Sequence, residues 1–65
     1  MKDTYFVAGR ISDHENEFKL VEADSNEEAE LIFEKWLREQ IGVETGDFYI
    51  EHCQSVADMQ KYIIK

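Results

Sequence analysis

Residues 25–42 read S-N-E-E-A-E-L-I-F-E-K-W-L-R-E-Q-I-G and contain the best-marked helix of the chain. Ser25 and Glu28 have the S-x-x-E spacing of a capping box at a helix N-terminus, and Gly42 is the residue type that most often ends a helix. The apolar residues between them recur at three- and four-residue intervals, which places them on one stripe: Ala29, Ile32, Phe33, Trp36, Leu37 and Ile41. The spacing predicts a helix over residues 26–41.

Segments rich in aromatic and β-branched residues lie on both sides of this helix and predict strands. They are residues 4–11 (TYFVAGRI), 18–23 (FKLVEA) and 48–53 (FYIEHC). The polar segment 12–17 joins the first two strands as a hairpin. Gly9 inside the first strand indicates a bulge or a close approach of another backbone.

The end of the chain predicts a second, shorter helix over residues 56–64, because Ser55 and Asp58 repeat the capping spacing ahead of an apolar face. The element order is then β-β-α-β-α. A right-handed crossover places the third strand beside the first. We therefore predict a single α+β domain over residues 1–65, with a three-stranded antiparallel sheet in the order 2-1-3 and two helices on one face.

The first strand is apolar on both faces, as in a strand that is covered on both sides. Two helices on one side leave the other side of the sheet open. We expect this side to carry an exposed apolar patch that includes Phe18 and Leu20, with His52 or Tyr49 from the third strand. The first strand adds one of its two sets, either Tyr5, Val7 and Ile11 or Phe6 and Ala8, and the sequence does not decide which. The patch indicates a docking or dimer interface. The alternative is that the terminal helix or a loop covers it, or that it is ordinary apolar surface.

The net charge of -8 arises from residues 13–34, which hold nine acidic residues against one lysine. We expect these acids to gather at one end of the molecule and to bind a basic protein partner. The predicted binding residues are Asp13, Glu15, Glu17, Asp24, Glu27, Glu28, Glu30 and Glu34. The same charge argues against direct binding to nucleic acid or to a membrane surface. The alternative is that the acids serve solubility alone.

We expect no catalytic, metal or cofactor site. Cys53 and His52 are neighbours in a predicted strand, so their side chains point to opposite faces, and only His14 in the hairpin turn remains as a base for a thiol. The spacing of His14, His52 and Cys53 matches no paired ligand motif, and glycine-rich phosphate loops are absent.

The chain carries one cysteine and has no apolar run long enough for a membrane span or a signal core. A single thiol excludes an internal disulfide, and the cysteine framework of a small secreted domain is missing. We therefore expect a cytoplasmic protein.

The segment V-E-A-D-S-N-E-E-A, residues 21–29, resembles the strand-to-helix junction of many small α+β proteins, including half-ferredoxin-like modules. In size and acidity the chain is similar to the small inhibitors that bacteriophages make against host proteins, some of which imitate nucleic acid. No functional residue is transferred from either resemblance. The sequence predicts a non-enzymatic interaction module, such as a phage-type inhibitor of a nucleic-acid-handling protein. The alternative is a homodimeric structural or accessory protein.

Overall fold

Five secondary-structure elements follow one another in the computed structural model, which describes residues 2–59. They are β1 (Asp3–Ile11), β2 (Glu17–Ala23), α1 (Asn26–Ile41), β3 (Phe48–Ser55) and α2 (Val56–Met59). The predicted order is confirmed, and α1 has the predicted bounds. The predicted continuation of the second helix to residue 64 lies outside the described residues.

The three strands form one antiparallel sheet in the order β2-β1-β3, as predicted. The register pairs Phe6 with Leu20 and Ala8 with Phe18 on β2. On the other side of β1, Ala8 pairs with His52. Because paired residues of an antiparallel sheet share a face, these five side chains lie together on one side of the sheet.

Gly9 marks the irregularity that its position in the sequence predicts. The register between β1 and β3 shifts between Ala8 and Gly9, so that Gly9 pairs with Ile50. A Cβ atom on Gly9 would overlap the carbonyl oxygen of Tyr49. The bulge therefore brings two backbones so close that only a residue without a side chain fits.

Both ends of α1 are capped by residues that the sequence indicates. Ser25 Oγ accepts the Glu28 backbone N–H at 3.1 Å. The Glu28 carboxylate accepts the N–H of Asp24, also at 3.1 Å, rather than that of Ser25, so the reciprocal half of the capping box is shifted by one residue. At the other end, Gly42 adopts φ 78° and its N–H donates to the Arg38 carbonyl at 2.8 Å.

The core lies between the sheet and α1. Among residues 2–59, the apolar residues buried there are Tyr5, Val7, Ile11, Val21, Ala23, Ala29, Phe33 and Leu37. Val21 and Ala23 face the helix, as the parity of β2 predicts. The core therefore takes one side of the sheet and one stripe of α1.

Two hydrogen bonds between Ser12 and Asp47 connect the hairpin turn to the loop before β3. The Ser12 N–H donates to the Asp47 carbonyl at 2.7 Å, and the Asp47 N–H donates to Ser12 Oγ at 3.1 Å. Ser12 has φ 48°, which is left-handed for a residue other than glycine. These contacts hold the start of β3 beside the end of β1.

We predict that Gly9→Ala lowers the free energy of unfolding by about 1–3 kcal/mol, as overpacking does, because its Cβ meets a rigid carbonyl. Gly42→Ala has free space around its Cβ and loses about 1–2 kcal/mol through its positive φ alone. Urea unfolding followed by Trp36 fluorescence measures both.

Substitution by asparagine distinguishes steric overlap at Gly9 from backbone strain at Gly42, since asparagine tolerates a left-handed backbone but is larger than alanine. Gly42→Asn should be more stable than Gly42→Ala, whereas Gly9→Asn should be less stable than Gly9→Ala. Wild-type stability in Gly9→Ala would contradict the close approach of the two strands.

Candidate functional site: the open face of the sheet

The side of the sheet opposite α1 carries an exposed apolar patch. We define the open-face patch by Phe6 and Ala8 of β1 and by Phe18 and Leu20 of β2. Phe18 is 68% exposed and Leu20 is 62% exposed, and the two residues of β1 are half-buried between their neighbours. Phe18 and Leu20 are therefore exposed on the side of the sheet where the sequence places them, and the structure shows that Phe6 and Ala8 are the strand-one residues beside them.

Aromatic contacts organise the centre of this face. The rings of Phe6 and Phe18 are stacked, with centroids 5.7 Å apart. The imidazole of His52 lies 5.8 Å from the Phe6 ring on the other side, and its Nε2 lies 3.0 Å from Gln54 Oε1. Phe6 is thus held between a ring from each neighbouring strand, which gives the patch a preformed centre.

A charged group borders the patch at the end near the hairpin turn. The Arg10 guanidinium lies over the Tyr49 ring, 5.2 Å from its centroid, and Arg10 Nε lies 4.0 Å from Glu51 Oε1. Cation–π contact and the nearby carboxylate both engage the arginine. The pairing of Arg10 with Tyr49 follows from the bulge at Gly9, and the sequence analysis did not identify it.

The cation of β2 lies on the other side of the sheet. Lys19 Nζ is 5.1 Å from the centroid of the Trp36 ring of α1. Lys19 and Val21 are two residues apart on β2 and therefore point to the same side of the sheet, towards α1. The alternation along β2 thus predicts that Lys19 faces the helix. The open face of β2 therefore presents Phe18, Leu20 and Glu22 without a neighbouring lysine from its own strand.

The acidic residues of the hairpin turn lie beside the C-terminal end of α1. Glu15 and Glu17 line a shallow groove of about 440 Å³ together with residues from the last turns of the helix, among them Leu37, Gln40 and Ile41. Asp13 lies in the same hairpin turn and belongs to the same acidic group, although it does not line the groove.

The acidic residues at the start of α1 lie at the opposite end. Glu28 accepts the Asp24 N–H, and its carboxylate is 3.7 Å from Lys2 Nζ. Seven residues of β2 separate this group from the hairpin turn, which corresponds to about 20 Å of extended strand. Glu27 belongs to the same helix turn.

Two further acids lie on the flank of α1 that faces β3. Glu34 Oε2 is 2.9 Å from Arg38 Nη2, and the same nitrogen donates to the Gly46 carbonyl, just before β3. The carboxylate of Glu30 lies near Cys53 of β3 and raises the pKa of its thiol. The prediction that the acids gather at one end is therefore wrong, because an antiparallel strand separates the hairpin turn from the helix that follows it.

Cys53 and His52 point to opposite faces, as predicted. Cys53 packs against the core, with its Sγ 3.8 Å from the Asn26 carbonyl oxygen, while His52 lies on the open face. His14 Nδ1 is 2.9 Å from the Ile11 carbonyl oxygen, whereas Cys53 pairs with Val7, four residues earlier on β1. The structure therefore brings neither histidine to the thiol.

Two groups on the α1 side have raised pKa values. Burial raises the pKa of the Cys53 thiol, and the carboxylate of Glu30 raises it further. Burial also raises the pKa of Tyr5, with smaller contributions from nearby acidic groups, Asp3 first. Both shifts favour the neutral side chain.

Within residues 2–59, no group of three or more histidine, cysteine or acidic side chains is placed to hold a metal ion. In the same part of the chain, no helix has the length and apolar character needed to cross a membrane.

No protein-family model, curated protein or solved structure matches this chain.

We predict that the free energy of unfolding decreases as the pH rises past 9. In the folded state Cys53 and Tyr5 keep their protons at pH values where the unfolded chain loses them. The stability present below their ordinary pKa values of 9.0 and 10.0 is therefore lost as the pH rises through the raised ones. Urea unfolding at pH 8 to 11 measures the slope.

Cys53→Ala should flatten the first part of this decrease and Tyr5→Phe the later part, whatever each substitution does to the stability at pH 7. An unchanged pH dependence in the double variant would contradict the assignment.

Proposed function

We propose that this protein is a non-enzymatic interaction module that binds a basic protein partner through the open face of its sheet. The observation that carries the proposal is the exposure of Phe18 and Leu20 beside Phe6 on the face opposite α1. Contiguous apolar side chains on the surface of a small protein mark an interaction site more often than isolated ones do.

The open-face patch has the composition of an interface centre. Its residues are aromatic or aliphatic and uncharged, and charged residues such as Glu22 and Glu51 lie around them. Interfaces are likewise depleted of charge at their centre and polar at their rim. The stacked Phe6 and Phe18 rings also reduce the side-chain entropy that binding would cost.

The charge of the protein favours a basic partner. A net charge of -8 on 65 residues attracts a cationic protein and accelerates its encounter. The separation of the acids into three groups means that a partner meets negative potential from several sides. A nucleic-acid-handling protein suits this description, since it carries a basic surface for phosphates.

A second copy of the chain is the alternative occupant of the same face, because a small domain gains stability by sharing an apolar face. Charge opposes this alternative, since a second copy brings another eight negative charges. Sedimentation of the purified protein up to millimolar concentration separates the two, and a monomer supports the basic partner.

We predict that Phe18→Thr/Leu20→Thr abolishes capture of partner proteins from a cell lysate. Threonine retains the β propensity of the strand while the apolar surface is lost. The comparison uses immobilised wild-type and variant proteins at low and high salt, with quantitative mass spectrometry of the bound proteins. The supporting result is a set of basic proteins that wild type captures, that the variant loses and that high salt releases.

Leu31→Gln is the matched control, because Leu31 is an equally exposed apolar residue, at 66%, but lies on α1. It should leave the captured set unchanged. Capture that survives Phe18→Thr/Leu20→Thr, or that is lost equally in Leu31→Gln, would overturn the proposal. Wild-type circular dichroism and a similar urea midpoint establish that each variant is folded.

A further inference from the structure

We infer that the occupant of the open face is an amphipathic helix of the partner, with an apolar stripe over the open-face patch and lysine or arginine residues along both flanks. This inference rests on the proposed function and deepens it by naming the recognition element and its charge. It is carried by the dimensions of the face and by the charges that border it.

The dimensions of the open face suit one helix. Neighbouring strands are about 4.8 Å apart, so the three strands span about 10 Å between the outer two, which equals the diameter of an α-helix. The same sheet already packs one helix in this way, since Phe33 and Leu37 of α1 cover the opposite face. A second helix on the open face would complete a three-layer arrangement.

The apolar part of the face is narrow and matches a helical stripe. It occupies β2 and β1, where the pairs Phe6–Leu20 and Ala8–Phe18 form two successive rows. On β3 the same rows end in Gln54 and His52, which are polar. Two rows extend about 7 Å along the strands, so side chains from two turns of a helix at i, i+3, i+4 and i+7 cover them.

The charges around the patch are complementary to basic flanks. Glu22 borders it on β2 and Glu51 borders it on β3, and Glu22 has no ion pair within residues 2–59. Arg10, which borders the patch, lies over the Tyr49 ring and has its Nε 4.0 Å from Glu51 Oε1. The unpaired carboxylate of Glu22 therefore lies beside Leu20, and that of Glu51, 4.0 Å from Arg10 Nε, lies on the β3 side of the face. Lysine or arginine residues on the two flanks of a docked helix would meet these two carboxylates.

The same charges disfavour a second copy on this face. Face-to-face pairing of two sheets about 10 Å apart would bring Glu22 and Glu51 of one copy near the acids of the other. Like charges at an interface suppress association. The geometry therefore favours a cationic helix over self-association.

The test uses two synthetic 18-residue peptides with identical leucine positions at the i, i+3, i+4, i+7 spacing. One peptide has lysine at its other positions and the second has glutamate. Calorimetry measures their binding to the folded wild-type chain, to Phe18→Thr/Leu20→Thr and to Leu31→Gln. Amide chemical shifts of the ¹⁵N-labelled protein locate the binding surface.

We expect the lysine peptide to bind wild type and Leu31→Gln with the same affinity, and the glutamate peptide to show no binding. Phe18→Thr/Leu20→Thr keeps every charge of the protein and should bind the lysine peptide at least about tenfold more weakly, as expected when apolar anchors are lost from an interface. Amides of β1 and β2 should shift, and those of the exposed face of α1 should not.

Three results would overturn the inference. The first is equal binding of the lysine peptide to wild type and to Phe18→Thr/Leu20→Thr, which would mean attraction by charge alone. The second is equal binding of the lysine and glutamate peptides to wild type. The third is no binding of either peptide. If these peptides fail while capture from a lysate still requires Phe18 and Leu20, the helix is excluded and the proposed function stands. If Phe18→Thr/Leu20→Thr also captures the same proteins from a lysate as wild type does, the proposed function fails as well.

Discussion

Strand β1 has apolar side chains on both faces, and α1 covers one of them. Tyr5, Val7 and Ile11 are buried against α1, while Phe6 and Ala8 on the opposite side are half-buried. A strand of this kind normally lies in a layer that is packed on both sides. The exposed patch follows from this imbalance between a two-sided strand and a one-sided helix layer, and the proposed interaction depends on it.

The uncovered face of β1 also affects the free energy of binding, because apolar area remains to be buried there. A 65-residue chain buries a smaller share of its surface than a larger domain does, and its core, as far as residues 2–59 show it, lies on the α1 side of the sheet. Burial of the second face by a partner would add apolar area that the isolated chain cannot bury, at about 25 cal/mol per Å². The acids contribute in a different way. They are distributed over both ends of β2 and one flank of α1, so they act as a field around the molecule rather than as a contact surface of their own.

Local signals predicted most of the fold. Ser25 and Gly42 marked the two ends of α1, Gly9 marked the bulge, and the parity of Val21 and Ala23 identified which side of β2 faces the helix. The same parity placed Phe18 and Leu20 on the opposite side, so the apolar half of the candidate site was predictable. The position of the acids was not. Their proximity along the chain suggested one acidic end, but β2 crosses the whole sheet between Glu17 and Asp24 and separates them by its length.

Periodicity and capping residues act within a few positions along the chain, and for that reason the sequence alone determined the elements, their order and the apolar character of both sides of β1. Only the tertiary structure decided which side chains meet across strands. The stacking of Phe6 with Phe18, the position of Arg10 over Tyr49 and that of Lys19 over Trp36 depend on register and on the shift at Gly9. A register shift of one residue exchanges the partners of every side chain beyond it, and Gly9, although it indicated a bulge, does not specify which residues of β3 the side chains then meet.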